Sequence, residues 1–165
     1  MFGKKNQPSP PFVLQVLTTE YLIEGTIDGN ARIYFPQSQA LGCIPLHLTS
    51  VQIQPTRLVD TPTQTYTQFE VWGNSAVALI PRVEVTQMAQ YEGWRIPKIP
   101  LRGLFYFGSY LVQGTLMRGR DDSFESEVPM FDVTITNQAP GAHWGELRAP
   151  FALMNIHWLH GYEPS

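Results

Sequence analysis

Short alternations of apolar and polar residues run along the chain and predict β-strands. In "YLIEGTI" (21–27) Tyr21, Ile23 and Ile27 fall on one face of an extended strand, with Leu22, Glu24 and Thr26 on the other. Gly25 interrupts the pattern, as glycine does where a strand bends. The other strand-like segments of the first half are "FVLQVLT" (12–18), "CIPLHLTSVQIQP" (43–55), "YTQFEVWG" (66–73) and "SAVALIPRVEV" (75–85), the last two joined by the turn residues Gly73-Asn74.

The same pattern starts again in the second half. "LRGLFYFGSYLVQGTL" (101–116) aligns without a gap with "FVLQVLTTEYLIEGTI" (12–27), so Gly114 matches Gly25. "EVPMFDVTI" then follows in the order of "CIPLHLTSVQI", with Pro129 on Pro45, and "HWGELRAPFALMNI" in the order of "VWGNSAVALI". The repeat predicts an internal duplication in which the two glycines play equivalent bending roles. The alternative is a curved-strand pattern that recurs because of β-propensity alone.

This pattern divides the chain into units. We expect a disordered tail over 1–11, a first small β-barrel over 12–85, a linker over 86–100 and a second small β-barrel over 101–165. Residues 36–42 suggest one helical turn within the first unit. The predicted fold class is therefore all-β, with two tandem five-stranded barrels.

Composition agrees with many short strands. The chain has 165 residues, of which 43% are hydrophobic and only 15% charged, and its 14 prolines and 13 glycines supply frequent turns. The net charge of −3 argues against general nucleic-acid binding but leaves room for a local patch. The single cysteine, Cys43, excludes an intrachain disulfide, and its apolar neighbours suggest a buried thiol.

The chain shows no signal for a membrane or for secretion. It lacks an apolar run of the ~20 residues that a membrane helix needs. The first residues, "MFGKKNQPSPP", carry a positive pair without the apolar segment of a secretion signal. We therefore expect a cytoplasmic protein.

Both repeats resemble the Sm-like, SH3-type small barrel. "VLTTEYLIEGTI", "CIPLHL" and "VWGNSAVALI" in the first half, and "YLVQGTL", "VPMF" and "FALMNIHWL" in the second, are similar to an uncharacterised family of bacterial Sm-like domains. The resemblance implies a five-stranded barrel with a strongly bent second strand and a short last turn. Sm-like units also pair through their edge strands, which implies an assembly role.

The chain departs from the RNA-binding members of that family. It lacks their Asp-x-x-x-Asn signature between the second and third strands and their Arg-Gly in the last turn. The first half has Trp72-Gly73-Asn74 at that turn, and the second half is expected to have a longer one over 144–148. The resemblance therefore implies a fold and no RNA-binding activity.

Motifs of catalysis are missing from the sequence. There is no nucleophile elbow, phosphate loop or dinucleotide fingerprint, and "FGSYL" (107–111) has the composition of a hairpin turn. His157 and His160 in "NIHWLH" would face opposite ways on the strand expected there, so we predict no metal site. The acidic run 121–127 lacks the spacing of a calcium loop and suggests a solvated loop. We expect no enzyme activity and no cofactor.

Aromatic and basic residues are the best candidates for a binding surface. Phe105 and Phe107 share one strand face and Tyr106 the other, so one set is expected to fill a core. The other set either packs between the units or stacks on a ligand. The sequence predicts a non-enzymatic binding or assembly module with a protein partner or self-association; a single-stranded nucleic-acid binder is the alternative. The candidate surface consists of Trp72, Asn74, Trp94, Arg95, Lys98, Arg102, Tyr106, Trp144 and Arg148.

Overall fold

The fold is all-β, as predicted. The computed structural model describes residues 10–31, 45–57, 61–72, 75–83, 98–119, 127–141 and 145–165, and none of these is α-helical. The expected helical turn (36–42), Cys43, most of the linker (86–97) and the acidic loop (121–126) lie outside the described residues. The strands are β1 Phe12–Thr18, β2 Tyr21–Ile27, β3 Pro45–Pro55, β4 Gln64–Trp72, β5 Ala76–Arg82, β6 Lys98–Phe107, β7 Tyr110–Gly119, β8 Glu127–Asn137, β9 Glu146–Asn155 and β10 Leu159–Pro164.

All ten strands belong to one antiparallel sheet that is not closed. Its order is β10-β6-β7-β8-β9-β5-β1-β2-β3-β4. The first half of the chain contributes β1 to β5 and the second half β6 to β10. In each half the fifth strand pairs with the first, and the fourth strand lies at the opposite end of the five. The halves meet where β5 pairs with β9. This pairing, which we call the junction, leaves β4 and β10 at the two ends of the sheet, each paired on one side only in the part of the chain that the structure describes.

Burial follows the alternation seen in the sequence. On β2, Ile23 and Ile27 are buried while Leu22 and Thr26 are partly covered. On β6, Phe105 and Phe107 are buried and Tyr106 is exposed, so the prediction for this strand is confirmed. Strand β5 is buried from Ala76 to Ile80, because strands from both halves cover it. Its continuous apolar run is typical of a strand covered on both faces.

Gly25 and Gly114 lie in matching surroundings. Each is in the middle of the second strand of its half, and the register with the third strand shifts at each of them. A Cβ on Gly25 would lie 2.9 Å from Val51 Cγ2, and one on Gly114 would lie 2.9 Å from the Phe131 carbonyl oxygen. Both glycines therefore allow a close approach that a side chain would block.

The third strands are irregular at the same place. Opposite Gly25 the residue Ser50 has a φ of 51°, and opposite Gly114 the residue Asp132 has a φ of 52°. A further bulge recurs where the last strand meets the first, between Leu17 and Thr18 and again between Leu159 and Gly161. Bulges of this kind bend strands and increase their twist.

The two hydrophobic cores each contain residues from both halves. The first core is formed mainly by strands β1 to β5 but includes Phe151 and Leu153 of β9. The second is formed mainly by β6 to β9 but includes Leu17, Val77 and Ile80 of the first half. Fully burying a side chain of this size stabilises a fold by about 1.5–3 kcal/mol. The junction is therefore part of the protein's core.

Two expectations about the elements need correction. Strand β6 begins at Lys98, so residues 98–100 of the predicted linker belong to the sheet. The segment "NIHWLH" is not one strand: a 3-10 helix spans Ile156–Trp158, with Asn155 accepting a hydrogen bond from the His157 amide, and β10 follows. A capped helical turn was favoured over extended backbone because Asn155 can satisfy the amide exposed there.

Two anchors of the sequence alignment are also wrong. Thr49 directly precedes Ser50 on β3, and Phe131 directly precedes Asp132 on β8, so Thr49 and Phe131 are at equivalent places. Thr49 pairs with Gln68 of β4, and Phe131 pairs with Phe151 of β9. Pro45 thus matches Glu127 and not Pro129. Residues 146–148, expected in a turn, begin β9, and the turn before β10 is the 3-10 helix. Trp72 and Gly145 are therefore not at equivalent places, because Trp72 is the last residue of β4 and Gly145 precedes β9.

Candidate binding edge

The described members of the predicted surface lie on different strands of the sheet. Arg102 and Tyr106 are exposed and lie on the same face of β6, near one end of the sheet. Trp72 is 48% exposed at the end of β4, at the other end. Arg148 is exposed on β9 and forms an ion pair with Glu146. Lys98 is the first residue of β6, while Asn74, Trp94, Arg95 and Trp144 lie outside the described residues.

The junction shows how a fourth strand of this fold receives another strand. Ala78 and Leu79 of β5 pair with Met154 and Leu153 of β9. Asn155 extends the contact, since its Nδ2 donates to the Ala76 carbonyl oxygen at 3.0 Å. Asn155 is the counterpart of Trp72 at the end of β4. This position thus carries a buried amide side chain, Asn155, at the junction and an exposed aromatic side chain, Trp72, on β4.

Tyr110 closes the junction at one end. Its hydroxyl donates a hydrogen bond of 2.6 Å to the Thr18 carbonyl oxygen in the first half. Burial raises the pKa of Tyr110 to about 12, although a hydrogen bond with the Thr56 side chain and the charge of Arg57 act in the opposite direction. The hydroxyl therefore remains a neutral donor over the whole range near pH 7.

Further polar contacts tie the halves together. Asn137 Nδ2 donates to the Thr56 carbonyl oxygen at 2.9 Å, and both residues are buried. Arg82 Nη1 donates to the Arg148 carbonyl oxygen at 3.0 Å, while Arg82 Nε donates to Gln15 at 2.7 Å. The pKa of Arg82 is lowered by burial, an effect that the charge of Glu24 partly offsets. The buried Asn137–Thr56 hydrogen bond and the exposed Arg82–Arg148 hydrogen bond both join the two halves.

Tyr21, the counterpart of Tyr110, lies in different surroundings. It is 44% exposed and lines a cavity of about 350 Å³ together with Ile53, Pro55, Arg57, Pro62 and Gln64. Gln64 is the first residue of β4, so the cavity opens beside the free edge. In the second half, the corresponding space near Tyr110 and Asn137 is occupied by Thr18 and Thr56 of the first half.

Tyr21, Tyr66 and the edge of β4 are candidate site features that the sequence did not point to. Tyr66 is exposed on β4, with its ring 5.3 Å from that of Phe69. The repeat offered one usable signal. Tyr21 and Tyr110 occupy the same place in two similar halves, and when the halves pack side by side these two tyrosines must lie in different environments. The strand order that makes β4 an edge is not visible in local sequence.

The described residues contain no cluster of side chains that could hold a metal ion. No group of three His, Cys, Asp or Glu side chains comes together in that part of the chain. His47 Nδ1 lies 3.2 Å from Glu70 Oε1 on an exposed surface, which is an ordinary surface ion pair when the histidine is protonated. His157 lies on the 3-10 helix and His160 on β10.

Comparisons with known proteins add no relative. No family model matches the chain, and neither the curated proteins nor the solved structures contain a significant match. Among the described residues, no helix is long and apolar enough to cross a membrane.

Proposed function

We propose that the chain is a non-enzymatic protein-binding module that accepts an extended segment of a partner protein along β4. One observation carries the proposal: β9, which has the place of β4 in the second half, accepts β5 as an antiparallel neighbour, while among the described strands β4 pairs on one side only. An unpaired strand edge binds an extended chain through main-chain hydrogen bonds, and nearby pockets then select side chains.

The architecture of the module is part of this proposal. It consists of two tandem five-stranded units of the Sm-like, SH3-type class that arose by duplication. Support comes from the shared strand order and from three irregularities that recur in both halves: the glycine in the second strand, the positive φ in the third, and the bulge in the last. Recurrent β-propensity does not account for bulges at matched positions.

The cavity beside Tyr21 defines the chemistry of the partner segment. Ile53, Pro55 and Pro62 give it apolar walls, and Tyr21 and Gln64 add polar groups that can take part in hydrogen bonds. Glu20 and Arg57 add one charge of each sign to the lining. Exposed Tyr66 and Trp72 lie on the same strand and supply contact area of the type enriched at protein interfaces. The segment is therefore extended and carries an apolar or aromatic side chain near the start of β4.

A library of random peptides displayed on phage tests this function. Peptides enriched on the immobilised wild-type protein should bind the Tyr21→Ala and Trp72→Ala variants at least tenfold more weakly. The matched control is Tyr106→Ala, which removes an equally exposed tyrosine from β6 and should leave binding unchanged. Equal binding to all three variants, or enrichment that depends on Tyr106, would count against the β4 edge.

Single-stranded nucleic-acid binding remains the second candidate, since Arg102 and Tyr106 share an exposed face of β6. If this face binds single strands, affinity for oligo-dT and oligo-U should fall steeply with salt and should decrease on Tyr106→Ala. Affinity without salt dependence, or no binding at low salt, eliminates this candidate.

A further inference from the structure

The free edges β4 and β10 differ from the junction in the residues that would face a neighbouring unit. We propose that these residues prevent the sheet from continuing into a second copy of the chain, so that β4 is reserved for a partner other than the protein itself. The specificity residues are Gln68 and Glu70 on β4, and His160 and Glu163 on β10. The block on pairing between copies does not depend on the proposed function; only the reservation of β4 for another partner rests on it.

On the β9 side of the junction, two large apolar residues face the other half. Phe151 and Leu153 are fully buried in the core formed by strands β1 to β5. The pairing of the third and fourth strands places Gln68 at the position of Phe151 and Glu70 at the position of Leu153. Gln68 and Glu70 are both exposed.

The β5 side of the junction shows the same replacement. Val77 and Ile80 are fully buried in the core of the second half. Val16 pairs with Leu79, and its counterpart Phe105 pairs with Tyr162. This register places His160 at the position of Val77 and Glu163 at the position of Ile80, and both counterparts are exposed. Leu17, also buried at the junction, has Tyr106 as its exposed counterpart.

Copying the junction between two chains would therefore bury charge. With β4 of one copy against β10 of the next in the junction register, Val71 would lie opposite Gly161 and Glu70 opposite Tyr162. Glu70 would leave water together with His47, its neighbour on β3 of the same copy, and Glu163 would enter the position of a core isoleucine. Burying a carboxylate without a compensating partner is strongly unfavourable. Charged side chains of this kind are a known protection of sheet edges.

Variants that copy the junction residues onto one edge at a time test the proposal. Gln68→Phe/Glu70→Leu makes β4 resemble β9, and His160→Val/Glu163→Ile makes β10 resemble β5. Sedimentation equilibrium should find the wild type and each variant monomeric at 50 μM. An equimolar mixture of the two variants should form a 1:1 complex of twice the monomer mass, because only the mixture contains two complementary apolar edges.

The matched control adds the same apolar side chains elsewhere. Gln52→Phe/Gln113→Leu changes exposed residues of β3 and β7, which lie inside the sheet, and this variant should stay monomeric alone and in either mixture. Circular dichroism checks that every variant is folded, and a Glu70→Lys variant of the wild type reports on the native edge. The proposal is overturned if the folded mixture stays monomeric, if the control associates equally, or if the wild type forms oligomers that Glu70→Lys dissociates.

Discussion

At the residue scale, Tyr21 and Tyr110 begin the same seven-residue phrase but differ in their surroundings. Tyr110 is buried and donates to the Thr18 carbonyl oxygen at 2.6 Å, whereas Tyr21 is exposed beside a cavity. Tyr110→Phe removes the hydrogen bond to the Thr18 carbonyl oxygen and the one with the Thr56 side chain, so it should lower the free energy of unfolding by about 1–2 kcal/mol. Tyr21→Phe should change it by less than about 0.5 kcal/mol. Urea denaturation measures both, and equal effects would contradict the assignment.

The raised pKa of Tyr110 also makes stability depend on pH. The pKa is about 12 in the folded protein and 10.0 for an unperturbed tyrosine, so the unfolded chain loses its proton first as the pH rises. The stability that the protonated Tyr110 hydroxyl contributes is fully present below pH 10 and is lost progressively up to about pH 12. Its magnitude is about 1–3 kcal/mol of unfolding free energy. The difference in unfolding free energy between wild type and Tyr110→Phe should therefore shrink across this range. A difference in unfolding free energy that stays constant from pH 8 to pH 12 would contradict a raised pKa for Tyr110.

At the scale of the elements, Gly103 allows β10 to lie on β6. A Cβ at this position would collide with the Glu163 carbonyl oxygen and would lie 2.7 Å from the Tyr162 ring. Gly103→Ala should therefore displace β10 and speed amide hydrogen exchange in residues 159–164, with a loss of stability of about 1–3 kcal/mol. Gly145→Ala is the control, because no atom lies within 4 Å of the added methyl group. Unchanged exchange in β10 of Gly103→Ala would show that the contact is easily relieved.

At the scale of the whole molecule, each half buries some of its side chains in the core of the other half, so the two halves depend on each other for stability. Leu153 belongs to the second half but is fully buried in the core of the first. Leu153→Ala should cost about 2–5 kcal/mol and should lower the stability of both halves together. Circular dichroism and tryptophan fluorescence should then report one coincident unfolding transition, in the wild type and in the variant. Two separate transitions, of which only one shifts, would show independent halves.

Local pattern was sufficient to predict the class of fold and most strands. The bounds of β1 and β2 agree with the sequence prediction, and the inward side of Phe105 and Phe107 follows from alternation alone. Both properties depend on neighbours a few residues apart, which the sequence displays directly. The 3-10 helix at 156–158 was missed because its apolar residues resemble a strand, while a single asparagine cap decides the conformation.

The amino-acid sequence by itself determined that this protein is built of β-strands, and it displays one seven-residue phrase with a central glycine twice. Only the tertiary structure decided that β5 pairs with β9 and that β4 and β10 end the sheet. Strand alternation specifies which side chains are buried but not which strand lies beside which, since main-chain hydrogen bonds are the same for every neighbour. For the same reason, the different roles of Tyr21 and Tyr110 depend on what packs against two nearly identical segments.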